Sequence, residues 1–356
     1  MEKFILSAHS SIEVDFECGA LKNIIKNGRQ ITCGSAPLFT VKLRKKTSKS
    51  YVVNSTECKF ISYGNNVASY TCGFFDAQVH FFVQDESLLA KICIQNKTQD
   101  LLEWTELLPF TVPHKLKDED GGRGEILYPY NEGCRVTNMA FRESMPFSYT
   151  EPEYPSKGSF SIFPNMIFGQ FIAYLDDGAG VYLAMHDSER TTKHVDFCYF
   201  QEGIKVFMRA FCDVTYGQDY EMPFNVTLRA FDGTWHSAAD IYYNWFKDNL
   251  PMGAKKIKDN PDLPAWYHDY PLVVAYPVRP FLKSSLNLLQ HCFCFYCFSV
   301  LASRHVGSEL PDQGSNPHLL HRKVKSTSLT AGKSLQCLLS ICAAKTYGFP
   351  QASFSN

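Results

Sequence analysis

The sequence predicts a mainly β protein built around one large two-sheet sandwich, followed by a helix and then by chain of a different character. Three observations support this fold class. From residue 3 to about residue 231, short segments alternate apolar and polar residues, and turn-forming residues separate them. After residue 233 the apolar spacing becomes that of an amphipathic helix. After residue 280 no sustained period remains.

The strand signals in the first part of the chain are numerous. The clearest are residues 38–43, 51–60, 77–83, 88–95, 168–175, 180–185, 203–211 and 223–231. In residues 78–84 and 225–231, apolar side chains recur at every second position, as a half-buried strand requires. About fifteen or more strands exceed a simple immunoglobulin-like sandwich, and we therefore expect a larger two-sheet body.

Residues 234–250 predict a helix of about four turns, because their apolar side chains fall three and four positions apart. These apolar residues are Ala238, Ile241, Tyr242, Trp245 and Phe246. Asp232 or Thr234 is placed to cap the start of the helix, and Pro251 closes it. A linker rich in Lys, Pro and Asp follows at residues 253–264.

The composition indicates a globular protein with a substantial core, since 45% of the residues are hydrophobic and 20% are charged. The net charge of -1 provides no field that would attract nucleic acid or an anionic membrane. The 13 cysteines are odd in number and irregularly spaced, and most of those before residue 280 lie in strand-like segments. The first residues alternate like a strand and lack the apolar stretch of a signal peptide. We therefore expect free thiols and a cytoplasmic location.

Several motifs occur together in a recognisable order. They are Gly-Glu-Ile-Leu-Tyr-Pro-Tyr-Asn-Glu-Gly at 124–133, Gly-Gln-Phe-Ile-Ala-Tyr at 169–174, the strand 180–187, the helix 235–246 and the strand 271–279, which ends Tyr-Pro-Val-Arg. Over about residues 1–279 this order resembles a glycoside-hydrolase-like family that includes relatives of endo-α-N-acetylgalactosaminidases. Its members join a galactose mutarotase-like β-supersandwich to a (β/α)8 barrel. The resemblance implies a β-supersandwich at 1–233, a helix and linker at 234–264, and a remnant of the first barrel strand at 265–280.

The resemblance ends before the part that carries chemistry in such enzymes. Their catalytic carboxylates project from the later barrel strands, and glycoside cleavage usually needs two carboxyls about 5 to 9 Å apart. Only the first barrel strand is present here. The resemblance therefore implies a truncated glycoside-hydrolase-related protein that binds a glycan without catalysis. Two alternatives stay open, which are an incomplete fragment of an active hydrolase and a β-sandwich that binds protein.

Residues 281–356 are expected to be a disordered tail unrelated to the family. Within it, residues 303–322 resemble a translated short interspersed repeat element. Cys292, Cys294 and Cys297 beside His291 suggest zinc, but no second pair follows at the spacing that zinc sites use, so we expect neither metal nor cofactor. Residues 286–302 are at the short limit for a membrane span and contain polar residues, so we expect no membrane insertion.

The first candidate site is a short segment with four residues suited to a sugar: Tyr128, Tyr130, Asn131 and Glu132. A tyrosine face stacks on the C–H-rich side of a pyranose, and amide and carboxylate groups bond to its hydroxyls. The alternative is a simple turn in which Asn131 and Glu132 bond to the local backbone.

Further candidates lie at strand ends. His186 and Asp187 end a strand, where side chains can reach the cleft of a neighbouring domain, but Asp187 is equally suited to cap a turn, with His186 as a polar rim residue. Arg279 ends the barrel strand, where it would meet substrate in an intact relative. Trp104 and Glu106 alternate along one strand face, and we predict that Trp104 is a core residue.

Overall fold

The computed structural model describes residues 1–47, 49–131, 133–143, 161–201, 203–249 and 259–262. Over these residues the protein is mainly β, which confirms the predicted fold class. The elements discussed below all lie within one compact unit, Met1–Ala254. The predicted barrel-strand remnant at 265–280, the tail at 281–356 and the candidate residue Arg279 lie outside the described residues.

The strands of the first half are β1 (Glu2–Ser7), β2 (Ser10–Asp15), β3 (Ala20–Lys26), β4 (Arg29–Gln30), β5 (Ala36–Pro37), β6 (Phe39–Arg44), β7 (Ser50–Asn54), β8 (Lys59–Gly64), β9 (Val67–Thr71), β10 (Phe75–Gln84), β11 (Ser87–Asn96), β12 (Leu101–Leu107) and β13 (Phe110–Pro113). Those of the second half are β14 (Glu125–Tyr128), β15 (Cys134–Val136), β16 (Ile162–Phe163), β17 (Phe171–Asp176), β18 (Ala179–His186), β19 (Lys193–Phe200), β20 (Gly203–Phe211), β21 (Tyr220–Glu221) and β22 (Asn225–Asp232). The helices are α1 (Ala140–Glu143) and α2 (Trp235–Asp248), and a short 3-10 turn spans Ser55–Glu57.

These strands form three antiparallel sheets across the described part of the chain. The N-terminal sheet has the order β1-β2-β3-β4, with β5 paired to β3. The ten-stranded sheet has the order β15-β14-β17-β18-β22-β11-β10-β9-β8, with β21 paired to β11. The seven-stranded sheet has the order β16-β19-β20-β12-β6-β7, with β13 paired to β20.

The two larger sheets face each other across a continuous apolar core. Tyr128 of β14 meets Phe197 of β19 edge-on, with ring centroids 5.3 Å apart. Phe39 of β6 meets Tyr70 of β9 at the same centroid distance, 5.3 Å. Because inward side chains alternate with outward ones along each strand, the two sheets bury one face each and form the expected sandwich.

The N-terminal sheet is a third layer that the sequence pattern does not separate from the sandwich. The rings of Phe4 and Phe16 lie 5.3 Å and 5.5 Å from the ring of Phe81 on β10. These contacts extend the same core beneath the N-terminal strands. Alternation along a strand shows which side chains are buried but not which sheet the strand joins.

The prediction of one strand over residues 51–60 is wrong. The chain leaves β7 after Asn54, makes the 3-10 turn, and resumes as β8 at Lys59. The cause is Ser55, whose buried hydroxyl donates to the Gly19 carbonyl at 2.6 Å and accepts from the Phe39 amide at 3.1 Å. These two hydrogen bonds tie the turn to neighbouring elements, where an uninterrupted strand would not satisfy them.

Helix α2 confirms the helix that the sequence predicts after residue 233. Thr234 is its N-cap and accepts a hydrogen bond from the His236 amide, whereas Asp232 pairs with Lys26 at 3.0 Å instead. The helix lies on the outer face of the ten-stranded sheet, where Ala238 is buried against β17, β18 and β22. Its opposite face, which includes Tyr243, is exposed.

Candidate functional site

The two tyrosines of the first candidate site belong to the sandwich core. Tyr128 is fully buried, and its hydroxyl lies 2.5 Å from Ser161 Oγ and 3.3 Å from the Val195 carbonyl. The Tyr130 ring stacks parallel to it at 5.8 Å and is also buried. Both rings are therefore packed against protein, and neither presents a broad face to solvent.

Asn131 differs from the tyrosines because it is exposed at the turn that follows them. Its backbone adopts a φ of 52°, a conformation that asparagine tolerates better than most residues. Its backbone N–H donates to the Met166 carbonyl at 2.8 Å. Glu132 lies outside the described residues. Of the three described residues among these four, Asn131 is the one accessible to a ligand.

His186 lies beneath helix α2 and is part of the contact between the helix and the sheet. Its ring stacks on Trp245 at 4.6 Å with an interplanar angle of 6°. Its Nε2 lies 2.9 Å from Tyr182 Oη, and its Nδ1 lies 3.3 Å from Thr227 Oγ1. Burial lowers the pKa of His186 to about 3, so the imidazole is neutral near pH 7.

Asp187 organises the turn after β18, which is the alternative that the sequence offered. Its carboxylate accepts from the Glu189 amide at 2.9 Å and from the Thr191 amide and hydroxyl at 2.8 Å and 2.6 Å. It also pairs with the buried Lys193 ammonium at 2.6 Å. Burial raises the pKa of Asp187, but the hydrogen bonds from Lys193 and Thr191 together lower it by a larger amount. The net pKa of Asp187 therefore lies below its ordinary value. Asp187 is therefore a charged structural group in this fold.

The outer face of the seven-stranded sheet carries a groove of about 190 Å³, which we call the β12–β20 groove. Its floor alternates charged and aromatic side chains on two neighbouring antiparallel strands, with Glu106 of β12 directly opposite Arg209 of β20. The lining residues are Thr40, Val52, Asn54, Trp104, Glu106, Cys198, Tyr199, Phe200, Lys205, Phe207 and Arg209. Aromatic rings and buried charges come together in this groove.

One carboxylate in the groove is surrounded by two cations. Glu106 is fully buried, pairs with Lys205 through Oε1, and accepts from Arg209 Nε at 3.2 Å through Oε2. Burial raises the pKa of Glu106, but the nearby charges of Lys205 and Arg209 lower it by a larger amount. The net pKa of Glu106 therefore lies below its ordinary value. The Arg209 guanidinium also lies over the Trp104 ring at 4.1 Å and the Phe207 ring at 4.6 Å.

Two N–H donors in this cluster have no hydrogen-bond partner. Trp104 is 1% exposed and Arg209 is 5% exposed, yet neither Trp104 Nε1 nor Arg209 Nη1 is bonded within the described structure. A buried donor without an acceptor costs about 1 to 3 kcal/mol, and such groups in native proteins call for an explanation. Tyr199, 44% exposed, forms part of the same lining. The N–H donors and the carboxylate of the groove are therefore closed to solvent, and Tyr199 is an exposed side chain in the same small concavity.

The sequence placed Trp104 and Glu106 on one strand face but did not identify this groove. Trp104 is buried, as predicted, but it points to the outer face of the sheet and takes no part in the sandwich core. The available signal was on β20, where Lys205, Phe207 and Arg209 alternate with apolar inward residues. A strand whose outward positions carry cations and a ring, paired with one that carries a tryptophan and a glutamate, predicts a polar and aromatic surface.

A second concavity of about 690 Å³, which we call the α2 cleft, lies between the N-terminal hairpin, β22 and α2. Its charged side chains include Glu86 and Asp232, which pair with Arg229 at 2.7 Å and with Lys26 at 3.0 Å. Both carboxylates are largely exposed, and the aromatic side chain in the lining, Phe231, is buried. The described lining of the α2 cleft therefore has no exposed tyrosine, phenylalanine or tryptophan ring.

Within the described ranges, no three His, Cys, Asp or Glu side chains lie close enough to hold a metal ion. No helix in that part of the chain is long and apolar enough to cross a lipid bilayer. The eight cysteines that the structure describes carry free thiols.

No protein-family model matches the sequence, and no curated protein matches it either. Among solved structures, the α-N-acetylgalactosaminidase NagBb of Bifidobacterium bifidum with GalNAc aligns with 70% of this chain at 11% identity and a TM-score of 0.47. A putative aldose 1-epimerase from Escherichia coli K12 aligns with 65% of this chain and 99% of its own, at 8% identity and a TM-score of 0.39. Galactose 1-epimerase from Lactobacillus acidophilus NCFM aligns with 65% of this chain and 94% of its own, at 7% identity and a TM-score of 0.32. This chain spans 39% of the length of the NagBb chain.

Proposed function

We propose that the β body is a carbohydrate-binding domain of a glycoside-hydrolase-related protein, and that it binds a glycan in the β12–β20 groove without cleaving it. The observation that carries this proposal is the pair of unbonded donors, Trp104 Nε1 and Arg209 Nη1, beside the ionised Glu106. Sugar hydroxyls accept from such N–H groups and donate to a carboxylate, so one sugar unit satisfies both kinds of group. The exposed ring of Tyr199 supplies an apolar face for the C–H side of a pyranose.

The same groove is poorly suited to glycoside cleavage. Hydrolysis usually needs two carboxyls, one of which holds a proton that it gives to the leaving group. Glu106 is the carboxylate among the described residues that line the groove, and its lowered pKa keeps it ionised. No second carboxylate is among the described residues of the lining, and Glu106 holds no proton to donate. We therefore assign binding, and not catalysis, to this surface.

Asn131 is a separate proposed contact. It lies at the β14–β15 turn of the ten-stranded sheet, whereas the groove lies on the seven-stranded sheet. Its exposed amide is able to bond to a sugar hydroxyl, but the buried Tyr128 and Tyr130 do not add a stacking face there. We propose Asn131 as an accessory contact, to be tested with N131A alongside the groove variants.

A glycan array probed with the full chain tests the binding site directly. W104F keeps an aromatic ring but removes the indole N–H, and we expect it to weaken glycan binding about tenfold, the cost of about one hydrogen bond. The matched control is D240N in the α2 cleft, which should bind like the unmodified chain. The thermal midpoint of each variant shows whether the fold is intact.

Three outcomes would contradict the proposal in different ways. A blank array with a protein partner recovered instead would favour the protein-binding alternative. Equal binding by W104F and the unmodified chain would move the site away from the β12–β20 groove. Release of reducing sugar by the purified full chain would show that the protein is a hydrolase.

A further inference from the structure

Two cysteines lie opposite each other where the β8–β9 hairpin leaves the core. The register of this hairpin pairs Lys59 with Thr71, so one step outward on each strand places Cys58 opposite Cys72. The Cys72 amide donates away from β8, to the Phe75 carbonyl at 3.0 Å, and the Cys58 amide donates to the Ser55 carbonyl at 3.1 Å. Neither amide bonds across the pair, which makes it a non-hydrogen-bonded position of the ladder.

This position has the geometry that a disulfide needs. Cα atoms of a non-hydrogen-bonded antiparallel pair are about 4.5 Å apart, and disulfides span Cα distances of about 4.4 to 6.8 Å. In the reduced protein each thiol donates to a nearby backbone carbonyl, Cys58 Sγ to that of Asn54 at 3.6 Å and Cys72 Sγ to that of Phe75 at 3.5 Å. Cys58 is buried at the edge of the core, and Cys72 is partly exposed. A covalent bond therefore requires little movement of the backbone, and a soluble reagent can reach one of the two sulfurs.

The surroundings of Cys72 favour its thiolate. The neighbouring Cys58 thiol lowers the pKa of Cys72 most. Burial opposes this, whereas the amides of Phe74 and Phe75 and the charge of Lys97 lower the pKa as well, so that it is about 6. The Lys97 ammonium lies 3.3 Å from the Cys72 carbonyl oxygen and also pairs with Asp76. Cys58 is shifted the opposite way, and its pKa is raised.

Five other cysteines in the described part of the chain provide a contrast. Burial raises the pKa of the thiols of Cys33, Cys93, Cys198 and Cys212, and the neighbouring Asp15 raises that of Cys18. Because the thiolate is the nucleophile in disulfide chemistry, a small oxidant is expected to react first at Cys72.

We propose that Cys58 and Cys72 are a redox modification site, at which a small disulfide such as oxidised glutathione converts the two thiols into a reversible disulfide across the hairpin. In the first step, the Cys72 thiolate attacks one sulfur of oxidised glutathione. The S–S bond of the reagent breaks, one glutathione leaves with the electron pair and takes up a proton, and the other stays bound to Cys72. Cys58 then loses its proton to solvent and attacks the Cys72 sulfur, and the second glutathione leaves. Two protein thiols are oxidised by two electrons, and one glutathione disulfide is reduced to two thiols.

The consequence is local to one edge of the ten-stranded sheet. Strand β8 is the last strand in the order of that sheet and is paired with β9 alone among the described strands. A bond between Cys58 and Cys72 closes a short loop around the hairpin and restricts the unfolded chain. We expect oxidation to raise the thermal midpoint by about 5 °C.

The test is to incubate the native full chain with oxidised glutathione and to map disulfides by mass spectrometry. We expect a loss of two hydrogens, about 2 Da, located in a linked Cys58–Cys72 peptide pair, and its reversal by reduced glutathione. C58S should trap a glutathione adduct on Cys72, whereas C72S should give neither the adduct nor the link. C93S is the matched control and should form the Cys58–Cys72 link normally.

A measurement without substitutions keeps the proposal testable if a serine variant fails to fold. Brief alkylation of the native chain, followed by peptide mapping, should label Cys72 at least tenfold faster than Cys33 or Cys93 at pH 7, with a midpoint near pH 6. Labelling of Cys72 no faster than these two would overturn the proposal. Linkage that appears only after denaturation, or adducts mainly at other cysteines, would overturn it as well.

Discussion

Acidification from pH 7.5 to pH 5.0 is expected to destabilise the fold through the histidine beneath helix α2. His186 has a pKa of about 3 in the folded protein because it is buried between the sheet and Trp245, against an ordinary value of 6.5. Between these two values the unfolded chain binds a proton that the folded chain excludes. Stability from this group is therefore complete above about pH 6.5 and is lost progressively as the pH falls towards 3.

The size of the effect follows from the pKa difference. At pH 5.0, about 1.5 units below the pKa of an unfolded histidine, protonation of the unfolded chain lowers the free energy of unfolding by about 2 kcal/mol. For a protein of this size, that corresponds to a fall in the thermal midpoint of about 4 to 8 °C. Because the residue His186 as a whole is only half-buried, we expect a fall in the thermal midpoint in the lower part of this range.

The assay compares two differences, so that other titrating groups cancel. The free energy of unfolding is measured in urea at pH 7.5 and pH 5.0 for the unmodified chain and for H186Q, which keeps a polar side chain near Tyr182 and Thr227 but cannot titrate. H186Q is expected to lose about 1 to 2 kcal/mol less than the unmodified chain between the two pH values. The matched control, H9Q in the exposed β1–β2 turn, should behave like the unmodified chain. An equal loss in H186Q and the unmodified chain would refute the neutral, buried state of His186.

Two further substitutions test the structural roles assigned above. K193M leaves the buried Asp187 carboxylate without its cation, and we expect a loss of about 3 to 5 kcal/mol in urea unfolding. The pair K193M and D187L should recover little of it, because the Glu189 and Thr191 amides then lose their acceptor; recovery of most of the loss would show that the turn does not need Asp187. S55A removes the hydroxyl that bonds to Gly19 and Phe39, and we expect a loss of about 1 to 3 kcal/mol by the same assay, with S62A at an exposed position of β8 as the control. A change below about 0.5 kcal/mol in S55A would contradict the explanation of the break between β7 and β8.

Periodicity allowed much of the fold to be predicted. The apolar spacing of α2 and its cap at Thr234 depend on neighbours along the chain, and so they can be predicted from the sequence. The same holds for strands such as β20, whose bounds, Gly203–Phe211, match the predicted segment. The break between β7 and β8 at Ser55 could not be predicted from local sequence, because it is caused by hydrogen bonds to Gly19 and Phe39, which are distant along the chain.

The candidate site was harder to predict because it depends on which sheet face a residue occupies. Tyr128 has the composition of a sugar contact, but β14 places its ring between the sheets, against Phe197. Trp104 has the composition of a core residue, but β12 turns it to the outer face beside Arg209. The alternation of residues along one strand divides them between the two faces of the sheet, but it does not show which face lies outside the sandwich. That choice is made by strand pairing across the whole sandwich.

A triple substitution separates what the groove contributes to stability from what it contributes to binding. Glu106 with Lys205 and Arg209 is a buried charge cluster, and such clusters are commonly replaced by apolar residues at no cost or with a gain of about 1 to 4 kcal/mol. If the cluster is kept for a ligand, then E106L, K205M and R209M combined should unfold at the same or a higher urea concentration while glycan binding is abolished. A chain that is destabilised by several kcal/mol would instead show that the cluster holds the seven-stranded sheet together. A stable chain that still binds glycan would show that the sugar lies elsewhere, because no charged donor or acceptor of the cluster would remain to hold it.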